Sequence, residues 1–354
     1  MTAPTHLDFL ILGQGLAGSL LAWRLISADQ KVLVIDNPAP TAASRVAAGL
    51  INPVTGKRLV KEARADDFLN STRETYRALE KTFNQKLFHE KEMLRLFSND
   101  DIKQSWQRRV DDPAYQSYIG QMLSESECGY ESGGFLQKQT GYLSTISLLD
   151  AIKDWLQINS AYQASKIDYS EINITNKIEW QNYSANRIIF CEGAKVSNNP
   201  WFSYLPMQPA QGEILTLETD ESLPDWIING GKWLLPTGQG QFKTGATYQW
   251  PKKDRPLDEK TTTEGQQELL NSLQQLLPNP VNFRLIEHKV GIRPNSLDKR
   301  PLLGAHPQHA NLFVFNGFGS RGSMLIPYYS QHMVNVLLNN ETLESDVDIQ
   351  RIRQ

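Results

Sequence analysis

The segment Leu7–Asp36, LDFLILGQGLAGSLLAWRLISADQKVLVID, constrains this chain more than any other. An apolar run, Phe9–Leu12, ends at Gly13. Gly15 and Gly18 complete the spacing G-x-G-x-x-G, and a helix-like run, Leu16–Ala28, follows. A second apolar run, Val32–Ile35, closes on Asp36. A strand, a tight turn, a helix and a second strand within about 30 residues are the setting in which such glycines bind a dinucleotide. Gly13 permits the sharp turn out of the strand. Gly15, lacking Cβ, lets a pyrophosphate approach the backbone, and Gly18 lets the helix pack closely on the sheet. The free N–H groups at the helix start, at Leu16 and Ala17, carry the positive end of the helix dipole toward the phosphates. Asp36 sits where a carboxylate accepts hydrogen bonds from a ribose diol. The plainer alternative is a packed βαβ unit that holds no ligand.

Composition narrows the class. The 354 residues are 40% hydrophobic and 21% charged, enough for one or two domains with a sizeable core. A formal net charge of -3 gives no strong overall attraction to nucleic acid or to an anionic membrane. Two cysteines, Cys128 and Cys191, are too few for a disulfide framework and suit a reducing compartment. The start MTAPTHLD has no basic n-region, so no signal peptide is expected. No apolar stretch reaches the roughly 18 residues of a membrane span, and a cytoplasmic location is expected.

Past Asp36, the Ala-, Gly- and Pro-rich stretch through Lys61 predicts an extended loop along the far end of a long cofactor. Lys57, Arg58, Lys61 and Arg64 read as a solvated surface, or as a guide for an anionic substrate. Helical spacing covers Ala65–Phe88, and Met93–Phe97 reads as a strand. Ser98–Gln121 reads as a polar helix broken at Pro113, and Tyr130–Tyr142 as strand, turn and strand. A helix follows from Ser147 to Leu156. Asn186–Gly193, NRIIFCEG, resembles a buried parallel strand that ends at a ligand crevice. Leu205–Gln249 alternates like an antiparallel sheet. Thr261–Leu277 reads as a helix, Val281–Ile292 as a strand, and Leu312–Phe315 as a last buried strand before a glycine loop and helix. The tail Glu341–Asp348 is expected at the surface.

Six pieces together resemble the D-amino-acid-oxidase/glycine-oxidase (DAO) family of flavoproteins. They are GQGLAG with Asp36, SRVAAGL at Ser44–Leu50, GYLSTISLLDAI at Gly141–Ile152, IIFCEGA at Ile188–Ala194, GIRPNSLDKRPLLG at Gly291–Gly304, and NLFVFNGFGSRG at Asn311–Gly322. They follow the family's order over nearly the whole length. The resemblance implies an α/β fold: an FAD-binding Rossmann-like domain (1–77, 137–207 and 291–354) with an interleaved mixed-sheet α+β substrate domain (78–136 and 208–290). It implies non-covalent FAD and oxidation of the C–N bond of a small-molecule amine or amino acid, with O2 as acceptor. Within the family, ATY at Ala246–Tyr248 and GSRG at Gly319–Gly322 look most like the oxidase half of the bifunctional enzyme that modifies the tRNA wobble uridine. At 354 residues the chain is too short to carry that enzyme's methyltransferase half as well. A carboxymethylaminomethyl-uridine of tRNA is therefore the second expectation. Its basic surface would draw on Lys57, Arg58, Lys252, Lys253 and Arg255. A flavin-binding scaffold without turnover is the third.

The resemblance carries site roles onto matching positions. Ser44, Ala48, Gly49, Leu50, Glu192, Gly193 and Gly291 are expected along the cofactor. Gly317, Gly319, Ser320, Arg321, Gly322, Ser323 and Met324 are expected at its redox end. There, helix N–H groups can stabilise negative charge on the reduced flavin. Arg293 is expected to clamp the substrate carboxylate by two parallel N–H bonds, and also to border the cofactor. A structural salt bridge to Asp298 is its alternative. Arg321 is a second candidate near flavin or substrate, or else a loop brace. Tyr248 is expected to line the cavity or to sit in the sheet core. Lys289 shares a strand face with Arg293. His306 and His309 lack further ligands at metal spacing, so no metal is expected.

Overall fold

The structure is a computed structural model and describes residues 4–251, 257–277 and 279–352. Its first sheet is built on the segment that opened the sequence reading. Strand Thr5–Leu12 lies between Val32–Asp36 and Tyr183–Phe190 and is parallel to both. Tyr162–Ala164 adds in parallel outside Val32–Asp36, and His309–Asn316 adds in parallel outside Tyr183–Phe190. Antiparallel strands are added only on the side beyond Tyr183–Phe190, so the sheet is mixed. Successive side chains on a strand point to opposite faces, and here both faces are covered. Phe9 and Ile11 join one core with Val32, Val34 and Ile189. Leu10 and Leu12 join another with Leu33, Ile35 and Phe190. Burial on both sides explains why these strands read as unbroken apolar runs. Cys191 is buried at the end of one of them and is a core residue.

The second large sheet is almost wholly antiparallel. Its strands run in the order Arg284–Arg293, Ala210–Glu218, Gln241–Gly245, Trp233–Gly238, Ile227–Asn229, Met93–Leu96, Gly134–Gln137 and Ile119–Leu123. Helix Thr263–Leu276 covers one face, with Leu269, Leu273 and Leu276 packed against Leu215, Leu217, Leu234 and Phe242. The other face, with Ile214, Leu235 and Met93, meets Val46, Ala48 and Tyr142 from the first part of the chain. The cavity described below opens between that face and the parallel sheet.

Several expectations need correction. The supposed loop after Asp36 contains a short helix, Ala43–Val46, and two-residue strands at Leu50–Ile51, Val54–Thr55 and Val60–Lys61. The long helix ends at Phe83, not Phe88, because Asn84 turns left-handed and Glu80 accepts the N–H groups of Leu87 and Phe88. The polar helix covers only Asp100–Arg109, capped by the Asn99 side chain, and Ile119–Leu123 is a strand. The acidic tail is docked rather than free: Val347 is buried, and its carbonyl accepts the Leu303 N–H at 3.0 Å. No helix among the described residues is long and apolar enough to cross a membrane.

Candidate functional site

One cavity of about 720 Å³ runs from the first glycine turn to the last. At its first end Gly13 has φ +103, and a Cβ there would lie 2.5 Å from the Cys191 carbonyl oxygen. A Cβ on Gly18 would lie 1.9 Å from the Gly13 carbonyl oxygen, so Gly18 sits behind the wall and closes the turn. Gly15 differs: its nearest neighbour is the Ser44 hydroxyl at 3.4 Å, and the rest of that direction is open cavity. Helix Leu16–Ser27 starts at Gly15 with no side-chain cap. Leu16 N–H donates to Ser44 Oγ at 3.0 Å, and Leu16 and Ala17 line the wall. Asp36 also lines it. Its Oδ1 accepts the Gln14 N–H at 3.0 Å, which fixes the carboxylate while leaving Oδ2 for a ribose.

The middle of the cavity is walled by Ser44, Ala48, Gly49, Leu50, Glu192, Gly193 and Gly291. Gly49 has φ +72 and lies flat on Leu143. Glu192 accepts hydrogen bonds from the Tyr169 hydroxyl and from Asn199 Nδ2. Burial pushes its carboxyl above the usual glutamate range.

At the far end Gly319, Ser320, Gly322 and Ser323 line the cavity where helix Gly322–Asn339 begins, again without a side-chain cap. Gly319 has φ +55 and passes close over the Asn295 side chain. Gly317 shapes the turn from behind, against Leu302. Met324 is buried, and its carbonyl accepts the Thr72 hydroxyl. Arg321 points elsewhere: it pairs with Glu62 and donates to the Lys299 carbonyl. That geometry is the loop brace, not a group facing substrate.

Arg293 ends strand Arg284–Arg293 and lines the cavity. Its Nη1 donates to the Gln211 carbonyl at 3.2 Å and its Nη2 to the Thr247 carbonyl at 3.3 Å. The Tyr248 ring lies 4.8 Å from its Cζ. Asp298, the alternative partner, pairs instead with Arg351 at 3.0 Å. Among the described residues Arg293 forms no ion pair with a carboxylate. Burial pushes its guanidinium below the ordinary arginine value. A half-buried cation held only by carbonyls and a ring leaves room for an anion to complete it. Tyr248 is 50% exposed, so it is not a core residue, and it stands beside Arg293 without lining the cavity; Asn295 Nδ2 donates to its hydroxyl at 3.0 Å. Lys289 pairs with Glu287 and does not reach the cavity wall.

Sequence reasoning missed Gly212, Ile214 and Trp233, which complete the wall beside Arg293. The signal at Gly212 was a lone glycine inside a strand pattern, which marks close approach of another group. Nothing in the sequence distinguished Trp233 from a core indole. His306 and His309 lie with rings 5.0 Å apart, and among the described residues no group of three or more His, Cys, Asp and Glu could hold a metal ion. Lys252, Lys253 and Arg255 lie outside the described residues.

Residues 8–336 match the FAD dependent oxidoreductase (DAO) family. The chain belongs to this family. As a DAO-family FAD oxidoreductase it is similar to the uncharacterized oxidoreductase YurR of Bacillus subtilis, with 23% identity over 95% of this chain and 96% of that one. It is 22% identical to the tRNA 5-methylaminomethyl-2-thiouridine biosynthesis bifunctional protein MnmC of Marinobacter nauticus, over 92% of this chain but 54% of that protein. Glycine oxidase from Geobacillus kaustophilus shares the fold, with a TM-score of 0.81 and 18% identity over 98% of each chain. FAD is the cofactor, and the residues fit it. Two helix starts face one elongated cavity, the first with its Leu16 N–H taken by Ser44, a fixed carboxylate stands at the end of the second strand, and Gly15 leaves the backbone bare at the first helix.

Proposed function

We propose that this DAO-family oxidoreductase oxidises the C–N bond of an amino acid or secondary amine that carries a carboxylate. The α-carbon gives up a hydride, the imine left on the substrate is hydrolysed by water, and O2 takes the electrons as peroxide. FAD, when bound, supplies the hydride acceptor at N5. The remaining task is positioning: the α C–H must lie about 3–3.5 Å from that acceptor. The observation that carries this reading is Arg293, a partly buried guanidinium on the cavity wall without a carboxylate partner among the described residues. A substrate carboxylate completes its charge and fixes the rest of the molecule by a two-point contact. Leu50, Ile214, Trp233 and Ala246 wall the cavity nearby and offer no charge to hold an ammonium. The amine reacts in its neutral form, because only a free nitrogen lone pair stabilises the carbon that gives up hydride. Both cysteines are buried and unpaired, which suits a cytoplasmic enzyme.

Anaerobic mixing with a panel of amines and amino acids tests the reaction. Bleaching of the flavin by a carboxylate-bearing amine is expected, and its absence across the panel excludes turnover in favour of a flavin-binding scaffold. Arg293→Leu should raise KM at least about a hundredfold, the cost of stripping a charged hydrogen-bonding partner from a carboxylate, with FAD retained. Unchanged kinetics would remove Arg293 from the role. The second reading keeps the chemistry and takes the amine on a tRNA uridine. It is favoured by the likeness to MnmC across 92% of this chain and by the exposed Lys57 and Arg58. It predicts tRNA binding that weakens steeply with salt.

A further inference from the structure

The seat beneath Arg293 has a feature that its role as a clamp does not by itself require. Strand Gln241–Gly245 pairs with Ala210–Glu218 as far as Ile214↔Gly245. The two segments pair again at Gln211↔Gln249, where each residue's N–H donates to the other's carbonyl. Three residues on one side, Ala246, Thr247 and Tyr248, face two on the other, Gly212 and Glu213. The extra residue makes a bulge, a device that redirects a strand beside a site. Inside the bulge Glu213 N–H does not pair with a backbone carbonyl. It donates to the Thr247 hydroxyl oxygen at 2.8 Å, while Thr247 N–H donates to the Glu213 carbonyl at 3.2 Å. Thr247's own carbonyl is turned to accept Arg293 Nη2.

The other side of the seat is Gly212. A Cβ there would lie 2.1 Å from Arg293 Nη2 and 2.3 Å from Nη1, so the guanidinium rests on bare backbone. Glu213 is itself immobilised from the opposite face of the sheet. Its carboxylate accepts Thr262 N–H at 3.0 Å and the Thr262 hydroxyl at 2.8 Å, and pairs with His288 at 2.6 Å.

We propose that the Thr247 hydroxyl is the positioning group for the arginine clamp, with Gly212 as its floor. It replaces a ladder bond at the bulge, so that the Thr247 carbonyl holds the guanidinium at the height where it can fork onto a carboxylate. This rests on the carboxylate reading of Arg293. Neither Thr247 nor Gly212 meets the reacting atoms; both act through Arg293.

Holoenzyme variants test it, with acetate as the carboxylate probe and acetamide as its neutral counterpart, each titrated by the change in the flavin's visible spectrum. Thr247→Val keeps the shape and removes the acceptor. It should weaken acetate about tenfold or more while acetamide affinity and FAD content stay unchanged. Thr247→Ser restores the oxygen and should return acetate binding to within about twofold of the parent. Gly212→Ala reaches the same clamp independently and should also weaken acetate selectively. Acetate binding by Thr247→Val equal to the parent's overturns the proposal. So does equal loss of acetate and acetamide, or loss of FAD, either of which makes Thr247 a structural residue only. If the parent and Arg293→Leu respond to acetate alike, the carboxylate reading itself fails and this inference falls with it.

Discussion

The three glycines of the first turn look equivalent in sequence and are not equivalent in space. Gly18 has no room for a methyl group, because the Gly13 carbonyl occupies its place. Gly15 has room, since only the Ser44 hydroxyl stands within ordinary contact distance. The first is a folding requirement and the second a ligand requirement. Gly18→Ala should therefore destabilise the apoprotein by about 1–3 kcal/mol, the usual cost of overpacking a tight contact, as read by urea unfolding. Gly15→Ala should leave apoprotein unfolding unchanged and weaken FAD at least about tenfold, because its new Cβ occupies the space a diphosphate needs. Equal effects of the two in both assays would contradict this division. Gly212 belongs with Gly15: its missing Cβ serves a functional side chain, not the sheet.

The last helix carries its own fault and its repair. Pro327 lies within Gly322–Asn339 and has no N–H, so the Ser323 carbonyl four residues earlier loses its intrahelical donor. Tyr76, fully buried on helix Ala65–Phe83, donates its hydroxyl to that carbonyl at 2.7 Å. Thr72, one turn earlier, serves Met324 in the same way. The long helix thus completes the first turn of the helix that begins at the far end of the cavity. Tyr76→Phe should cost about 1–3 kcal/mol for a buried carbonyl left unpaired, and should speed FAD release. A variant with parent-like unfolding and FAD retention would show the bond to be dispensable.

A second joint between elements depends on pH. Glu344 in the tail accepts hydrogen bonds from Arg64 and from Tyr328. Burial opposes its charge, but those bonds and the Arg64 charge outweigh burial and hold the carboxyl below the usual glutamate range. A depressed value in the folded state means stability that is present above the unfolded glutamate value of about 4.3 and lost as pH falls through the folded one. Glu344→Gln should be less stable than the parent at pH 7 by about 1 kcal/mol or less, since the pair is partly exposed. The gap should close on acidification below about pH 4, as followed by thermal melts across pH. A gap that widens in acid would reverse the sign of this account.

At the scale of the whole molecule, the cavity lies between two sheets whose strands interleave along the chain. Ligand that binds only the folded form adds stability by mass action, about 4 kcal/mol at a thousandfold excess over Kd. Removing FAD should lower the melting temperature, and adding it back should restore it in a concentration-dependent way. A melting temperature independent of FAD would mean that the folded chain does not bind it in preference to the unfolded one.

The order of the main elements and the first glycine turn were legible in the sequence, as was Arg293 as a candidate for a substrate carboxylate, because each depends on short spacings. Apolar periodicity sets strands and helices, and a glycine turn is local backbone chemistry. The short helix at Ala43–Val46, the early end at Phe83 and the docked tail were not, since each is decided by partners distant along the chain. The same holds for Arg321 and Arg293. Sequence offered a substrate role for either, with a salt bridge as the alternative for Arg293 and a loop brace for Arg321, and folding placed Glu62 beside Arg321 while leaving Arg293 with two carbonyls and a tyrosine ring. A residue's type fixes what it can bind, and only the tertiary structure decides whether that partner comes from the protein or must come from a ligand.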